Sequence, residues 1–144
     1  MKTRRKWSGF SLVEMMVVVS IIGILTAIAV PKFTEVQRKS KESALRTNLQ
    51  VYRSAIYVFF SDTGLYPQSL NDLAATTPPS TGLTPTGASR DVTAGTWRGP
   101  YVQQIQFDPV SNKPLSYSTA NGSVGSVKSS ATGNDSNGVA FSTY

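Results

Sequence analysis

The side chains able to do chemistry in this chain are few and far apart. After Glu42 the only acids are Asp62, Asp72, Asp91, Asp108 and Asp135, and no two are close in sequence. Acid–base catalysis needs carboxylates tuned by their neighbours, whereas most of these stand in turn contexts such as Asp108-Pro109. There is no cysteine and no histidine, which removes thiol nucleophiles, disulfides, Cys/His zinc sites and histidine bases in one step. Neither a Gly-rich phosphate loop nor a Gly-x-Ser-x-Gly turn occurs. A membrane-tethered enzyme is thus poorly supported, and a structural role is expected.

One acid is unusual for its surroundings. Glu14 lies inside residues 10–30, the only strongly hydrophobic run of the 144-residue chain. An acid costs about 2.5–3.5 kcal/mol at the centre of a membrane helix and less near the interface. At about 1.5 Å per residue the run matches a bilayer's hydrocarbon core of about 30 Å, so it can span a membrane once. A secretory signal peptide also pairs a basic start with an apolar run, and Thr26-Ala27-Ile28-Ala29 resembles its cleavage site. Glu14 and the length of the run argue against that reading, and a plain uncleaved anchor is the other alternative.

The net charge of +6 comes from 14 Lys and Arg against 8 Asp and Glu, but Lys2, Arg4, Arg5 and Lys6 supply most of the excess. The excess therefore belongs to a leader and not to a binding face. The globular region offers only the scattered Arg90, Arg98, Lys113 and Lys128, so nucleic acid is not expected as a partner. Arg38, Lys39 and Lys41 are denser but adjoin the membrane exit, where lipid headgroups or Glu35 and Glu42 would meet them. Basic residues flank the apolar run on both sides, so the positive-inside rule does not fix orientation.

Positioning these groups requires a long helix. Past residue 30, Leu45, Leu49, Tyr52, Ile56 and Phe59 recur at spacings of three and four, which is one face of a continuing helix. Asp62-Thr63-Gly64 supplies its stop, with Gly64 suited to a left-handed cap. The spacing predicts one helix of about fifty residues, apolar all round in its first half and amphipathic in its second. Ser69 is placed to cap a short helical turn. Residues 76–96 hold fifteen Thr, Ser, Pro or Gly among twenty-one, which reads as a long surface loop. Strands are predicted at 102–107, 115–119, 124–129 and 139–143, as an antiparallel meander covering the helix stripe. The fold class expected is α+β. Tyr52, Tyr57, Phe59 and Phe60 are read as core packing in preference to a conducting stripe.

Gly9-Phe10-Ser11-Leu12-Val13-Glu14, followed by an apolar helix and Pro31, resembles the class III signal of type IV pilins and type II secretion pseudopilins. The resemblance implies a leader at 1–9, a membrane and assembly helix at 10–31, its amphipathic continuation at 32–63 and a globular region at 64–144. It implies prepilin peptidase cleavage between Gly9 and Phe10, and N-methylation of Phe10. It further implies that Glu14 pairs with the amino terminus of a neighbouring copy and sets axial register. Physically each charge lowers the other's cost in an apolar setting; the alternative is that Glu14 reaches the interface and stays hydrated. Gly23 and Pro31 match helix-loosening positions, and local melting during assembly or a static kink are both open.

In the globular region Tyr66-Pro67, Gly99-Pro100-Tyr101 and Asp108-Pro109-Val110-Ser111-Asn112 with Tyr117 are similar in order and spacing to the major pseudopilin of type II secretion. The lack of a cysteine pair agrees, since many type IV pilins close their C-terminal loop with a disulfide. The resemblance implies a filament subunit held in the bacterial inner membrane by a single pass with its C-terminal domain in the periplasm. Its partners would be copies of itself, prepilin peptidase, an inner-membrane assembly platform and minor pilins or pseudopilins. A pseudopilus that drives secretion is the leading reading, and a surface fibre for adhesion, motility or DNA uptake is the alternative. Such pseudopilins commonly hold calcium in the C-terminal loop, which here carries Asn134, Asp135 and Asn137. Calcium takes six to eight oxygens, and this loop has one acid, so an Asn/Asp/Gly-rich turn is the competing reading.

Overall fold

The computed structural model describes residues 9–144; the basic leader residues Lys2 to Lys6 lie outside the described residues. Helix α1 runs over Leu12–Thr63. It is bounded as its sequence demands. Ser11 precedes it, and Gly64 follows it at φ +72°, donating its N–H to the Phe60 carbonyl at 2.8 Å. That single bond from a left-handed residue past the end closes the last turn. The helix is continuous through Gly23 and Pro31.

The chain divides into two compact units, residues 9–37 and Arg38–Tyr144. The first is helix alone, with every residue from Gly9 onward exposed. The hydroxyls of its apolar stretch bond back to the helix: that of Ser20 donates to the Met16 carbonyl at 2.8 Å, and that of Thr26 to the Ile22 carbonyl at 2.7 Å. This is how hydroxyls are accommodated in a helix without water.

The second unit has the core. Leu45, Leu49, Tyr52, Ala55, Ile56 and Phe59 are buried along α1 and meet Leu70, Leu73, Leu115, Val127 and Phe141. The stripe read from spacing is thus the buried face. A 3-10 turn, Leu70–Ala74, follows Ser69, whose N–H and hydroxyl both engage the Asp72 carboxylate. Of the aromatic set expected in the core, Tyr52 and Phe59 are buried, Phe60 is half-buried against Tyr66 at 4.6 Å, and Tyr57 is exposed.

The expected meander holds in part, since strands fall within 115–119 and 124–129 and pair antiparallel, and the rest is corrected. Four short strands form two separate antiparallel pairs: β1 (Thr81–Leu83) with β2 (Ser89–Asp91), and β3 (Ser116–Tyr117) with β4 (Val127–Lys128). The first pair, with Gly82 opposite Arg90, lies inside the segment 76–96 that composition reads as a loop. Residues 102–107 form no strand, and two of their amides find acceptors outside any ladder. The N–H groups of Tyr101 and Val102 both donate to the Leu73 carbonyl, and that of Gln106 donates to the Tyr52 hydroxyl at 2.8 Å. Residues 139–143 include a 3-10 turn, Phe141–Thr143, instead of a strand.

What substitutes for long ladders is a set of polar anchors. The buried Asp108 carboxylate accepts the Ser129 hydroxyl at 2.5 Å and the N–H groups of Val110, Ser111 and Ser130 at 2.8, 3.2 and 3.0 Å. Asn112 closes the same turn in the left-handed region at φ 55°, which Asn tolerates better than most residues. Burial pushes the Asp108 pKa upward, but the Ser129 hydroxyl and the three N–H donors outweigh it and leave the carboxyl below its ordinary value. Its stabilisation is therefore full above the unfolded value near 4 and is lost as pH falls through the lower folded value. Asp108→Ala strands several buried donors and is expected to destabilise the globular unit by about 3 kcal/mol. Urea denaturation of the detergent-solubilised chain, followed by tyrosine and tryptophan fluorescence, measures this.

Candidate functional site

Two places carry the residues singled out from sequence, one in each unit. In the first, Gly9 and Phe10 lie in exposed, non-helical chain immediately before α1. Glu14 occupies the first turn, and its Oε2 accepts the Ser11 N–H at 2.8 Å. Ser11-x-x-Glu14 before an apolar run is the capping-box pattern, a signal in plain view that a reading of Glu14 as a register charge passes over. A carboxylate there satisfies an orphan donor and favours the positive end of the helix dipole. It also keeps acceptor capacity for a further donor.

Around it, Leu12, Val13, Met16, Val19, Ile22, Ile24, Leu25 and Ile28 are all more than half exposed. This is the one helix, among the described residues, long and apolar enough to cross a membrane. A methyl group placed on Gly23 would meet nothing within 4 Å. No contact within the chain therefore requires a glycine at that position.

The second place is the C-terminal loop. Asp135 is buried, and all of its accepting directions are occupied by protein donors. Oδ1 takes the N–H groups of Asn137 and Val139, each at 2.8 Å. Oδ2 takes the Arg46 guanidinium and the Tyr144 hydroxyl. Arg46 Nη2 also donates to the Tyr144 hydroxyl at 2.6 Å, and its Cζ lies 5.1 Å from that ring's centroid. Beside this cluster the buried Glu42 carboxylate accepts the Ser136 N–H at 3.0 Å and pairs with Arg38 at 3.8 Å. Asn134 and Asn137 are exposed. Among the described residues no group of three or more His, Cys, Asp or Glu comes together. The donor set does not fit a calcium ion, which would require several oxygens turned toward one point.

Sequence reading missed Arg46, Tyr144 and Glu42 as partners of this loop. Arg46 offers no local sign of its partners, which lie 89 and 98 positions away. Glu42 carried a usable signal, because it extends the stripe of Leu45 and Leu49 by one step, and a carboxylate on a core-facing stripe needs donors.

The globular motifs resolve into specific contacts. The Tyr66 N–H and carbonyl bond the Leu83 carbonyl and N–H, both at 2.7 Å. The Tyr117 hydroxyl donates to the Pro67 carbonyl at 2.6 Å. The Tyr101 ring packs edge-on against Phe59, and its hydroxyl donates to Asp62 at 3.0 Å. Gly99 is required where it stands, since a Cβ there would lie 2.6 Å from the Trp97 ring.

Residues 4–30 match the model of the prokaryotic N-terminal methylation motif. The chain is 30% identical over 112 residues to the type II secretion system core protein G of Vibrio cholerae, covering 78% of this chain and 71% of that protein. It is 34% identical over 79 residues to the core protein G of Pseudomonas aeruginosa, covering 55% of this chain and 56% of that protein. It is 46% identical over 65 residues to the type IV major pilin protein PilA of Myxococcus xanthus, covering 45% of this chain but only 30% of that protein. No solved structure matches at comparable significance. The chain belongs to the family of type IV pilins and type II secretion pseudopilins. Its apolar N-terminal helix and prepilin motif fit a membrane-anchored member of that family.

The Tyr144 hydroxyl, then the Val139 and Asn137 N–H groups and the Arg46 charge, hold the Asp135 pKa down to about 2 against the opposing effect of burial. The stabilisation from this group is present above the ordinary value near 4 and is lost as pH falls toward 2. The carboxyl carbon resonance of Asp135 is expected to titrate near that lower limit, and Tyr144→Phe is expected to move the midpoint upward.

Proposed function

We propose that this chain is the major pseudopilin of a type II secretion system, a structural subunit without catalytic chemistry of its own. The observation that carries the reading is the extent of the likeness to core protein G of Vibrio cholerae, which covers 112 residues and so cannot be a match of the N-terminal helix alone. Tyr66, Tyr101, Asp108 and Tyr117, the residues of the globular motifs, each hold a specific packing or hydrogen-bonding role, which supports carrying that likeness through the globular unit.

In this reading prepilin peptidase cuts between Gly9 and Phe10, and the new Phe10 amino group is methylated. The subunit waits in the inner membrane with its globular unit in the periplasm until an assembly platform, with minor pseudopilins, adds it to a helical filament. The bilayer first covers the exposed apolar side chains of α1, and neighbouring copies cover them afterwards. Because lipid is as apolar as leucine, that transfer gains little from hydrophobicity, so packing and polar pairing decide register. Glu14 is placed for that pairing, since the amino terminus of a neighbour supplies the charge that lowers its cost. Gly23, whose Cβ would meet nothing among the described residues, and the exposed Pro31 leave the helix weak enough to adjust as copies close.

A surface type IV pilus is the second reading, favoured by the 46% identity to the Myxococcus xanthus pilin over 65 residues. Mass spectrometry of the N-terminal peptide, on envelope and sheared extracellular fractions of the native host, separates the outcomes. A chain beginning at methylated Phe10 and retained with the envelope is expected. The same peptide mainly in the sheared fraction would favour the surface fibre, and an intact Met1 or a cut after Ala29 would contradict both. Glu14→Ala is expected to leave processing at Gly9 intact while abolishing filament formation, measured by electron microscopy and by the processed-to-precursor ratio.

A further inference from the structure

The cluster of Arg46, Asp135 and Tyr144 has no part in the assembly reading, yet it is the most heavily bonded polar site of the globular unit. We propose that the Arg46 guanidinium is the resident cation of the C-terminal loop, so that the segment 133–144 is closed by a side chain of α1 and not by a divalent metal ion. The inference holds whichever filament the chain builds.

The geometry carries it in three ways. First, Asp135 spends both oxygens on hydrogen donors: two amides on Oδ1, a guanidinium and a hydroxyl on Oδ2. A calcium ion at this carboxylate would have to expel Arg46 and reverse the Tyr144 hydroxyl. Second, the buried Glu42 carboxylate already accepts the Ser136 N–H and faces Arg38, so its charge is already engaged. A doubly charged ion added beside Arg46 would meet like charge at short range. Third, Arg46 touches both ends of the segment. It bonds Asp135 near the start and Tyr144 at the far side, while the Phe141 N–H donates back to the Gly133 carbonyl at 3.0 Å and Phe141 enters the core at 4% exposure. A planar guanidinium with several fixed donors suits this role better than a point charge.

The consequence is a loop whose closure is permanent. Arg46 follows the fully buried Leu45 on α1, so the cation is delivered with the helix that forms the core, and the subunit reaches its assembled form without depending on cation supply.

The test uses the full chain in detergent, first stripped with EGTA and then titrated with calcium chloride by calorimetry and thermal unfolding. No saturable heat and an unchanged Tm are expected; one equivalent of calcium bound with a rise in Tm would overturn the proposal. Limited proteolysis read by mass spectrometry supplies the second arm. Arg46→Ala is expected to speed cleavage within 133–144 about tenfold while the rest of the globular unit stays resistant, with Arg46→Lys intermediate. Should Arg46→Ala fail to fold, Tyr144→Phe is the milder probe and is expected to raise cleavage of the same segment alone. Unchanged protection in these variants would overturn the assignment.

Discussion

The rest of this molecule follows from one unmet requirement: the apolar surface of α1 over residues 12–37 has no cover among the described residues. Fully burying a Val, Leu, Ile or Met side chain is worth about 1.5–3 kcal/mol, and more than ten such side chains stand exposed between Leu12 and Val36. Water is therefore excluded as their permanent surroundings. A bilayer satisfies the side chains, and the helix satisfies its own backbone, including the hydroxyls of Ser20 and Thr26. Lipid does not satisfy a carboxylate. Within the apolar run Glu14 is the acid, its Oε2 accepts the Ser11 N–H, and in the proposed assembly a positively charged neighbour would lower its cost.

The same helix supplies the opposite solution beyond residue 38, where only one face is apolar and the remaining chain covers it. That cover has little regular structure. Two pairs of short strands cannot hold a fold by ladder bonds alone, and the load passes to polar anchors that reach across the sequence: Asp108 on Ser129 and Ser130, Tyr101 on Asp62, Tyr117 on Pro67, and Arg46 on residues 89 and 98 positions away. Most of these groups are buried or half-buried, so losing one leaves its partner's donor or acceptor unmet. The second unit is therefore sensitive at a small number of polar side chains.

What was legible in the sequence divides along the same line. The helix, its buried stripe, the Gly64 stop and the Ser69 cap could be read, because period and capping are local signals repeated over many residues. The N-terminal motif could be read because six consecutive residues carry it. The strands could be read only in part: β3 and β4 fall inside the expected 115–119 and 124–129 and pair antiparallel, while the other two expected strands are absent. Residues 102–107 have strand-forming composition, yet their amides go to Leu73 and to the Tyr52 hydroxyl. The Thr/Pro/Gly-rich segment nevertheless pairs with itself at Gly82 and Arg90. The C-terminal cluster was hidden for a different reason. Asp135 looks like a turn residue or a metal ligand until Arg46 is placed beside it, and nothing local links two residues so far apart.

The central claim is that neighbouring copies of this chain cover the apolar helix. Its lack of cysteine allows the claim to be tested directly, by single substitutions such as Val18→Cys and Ile22→Cys placed along residues 15–30 and oxidised in the native host. Disulfide-linked multimers from a restricted set of positions, lost when Glu14→Ala is added, are the expected result. Monomers at every position, with the cysteines reached only by lipid-soluble reagents, would mean that the helix remains a membrane anchor, and would contradict the account.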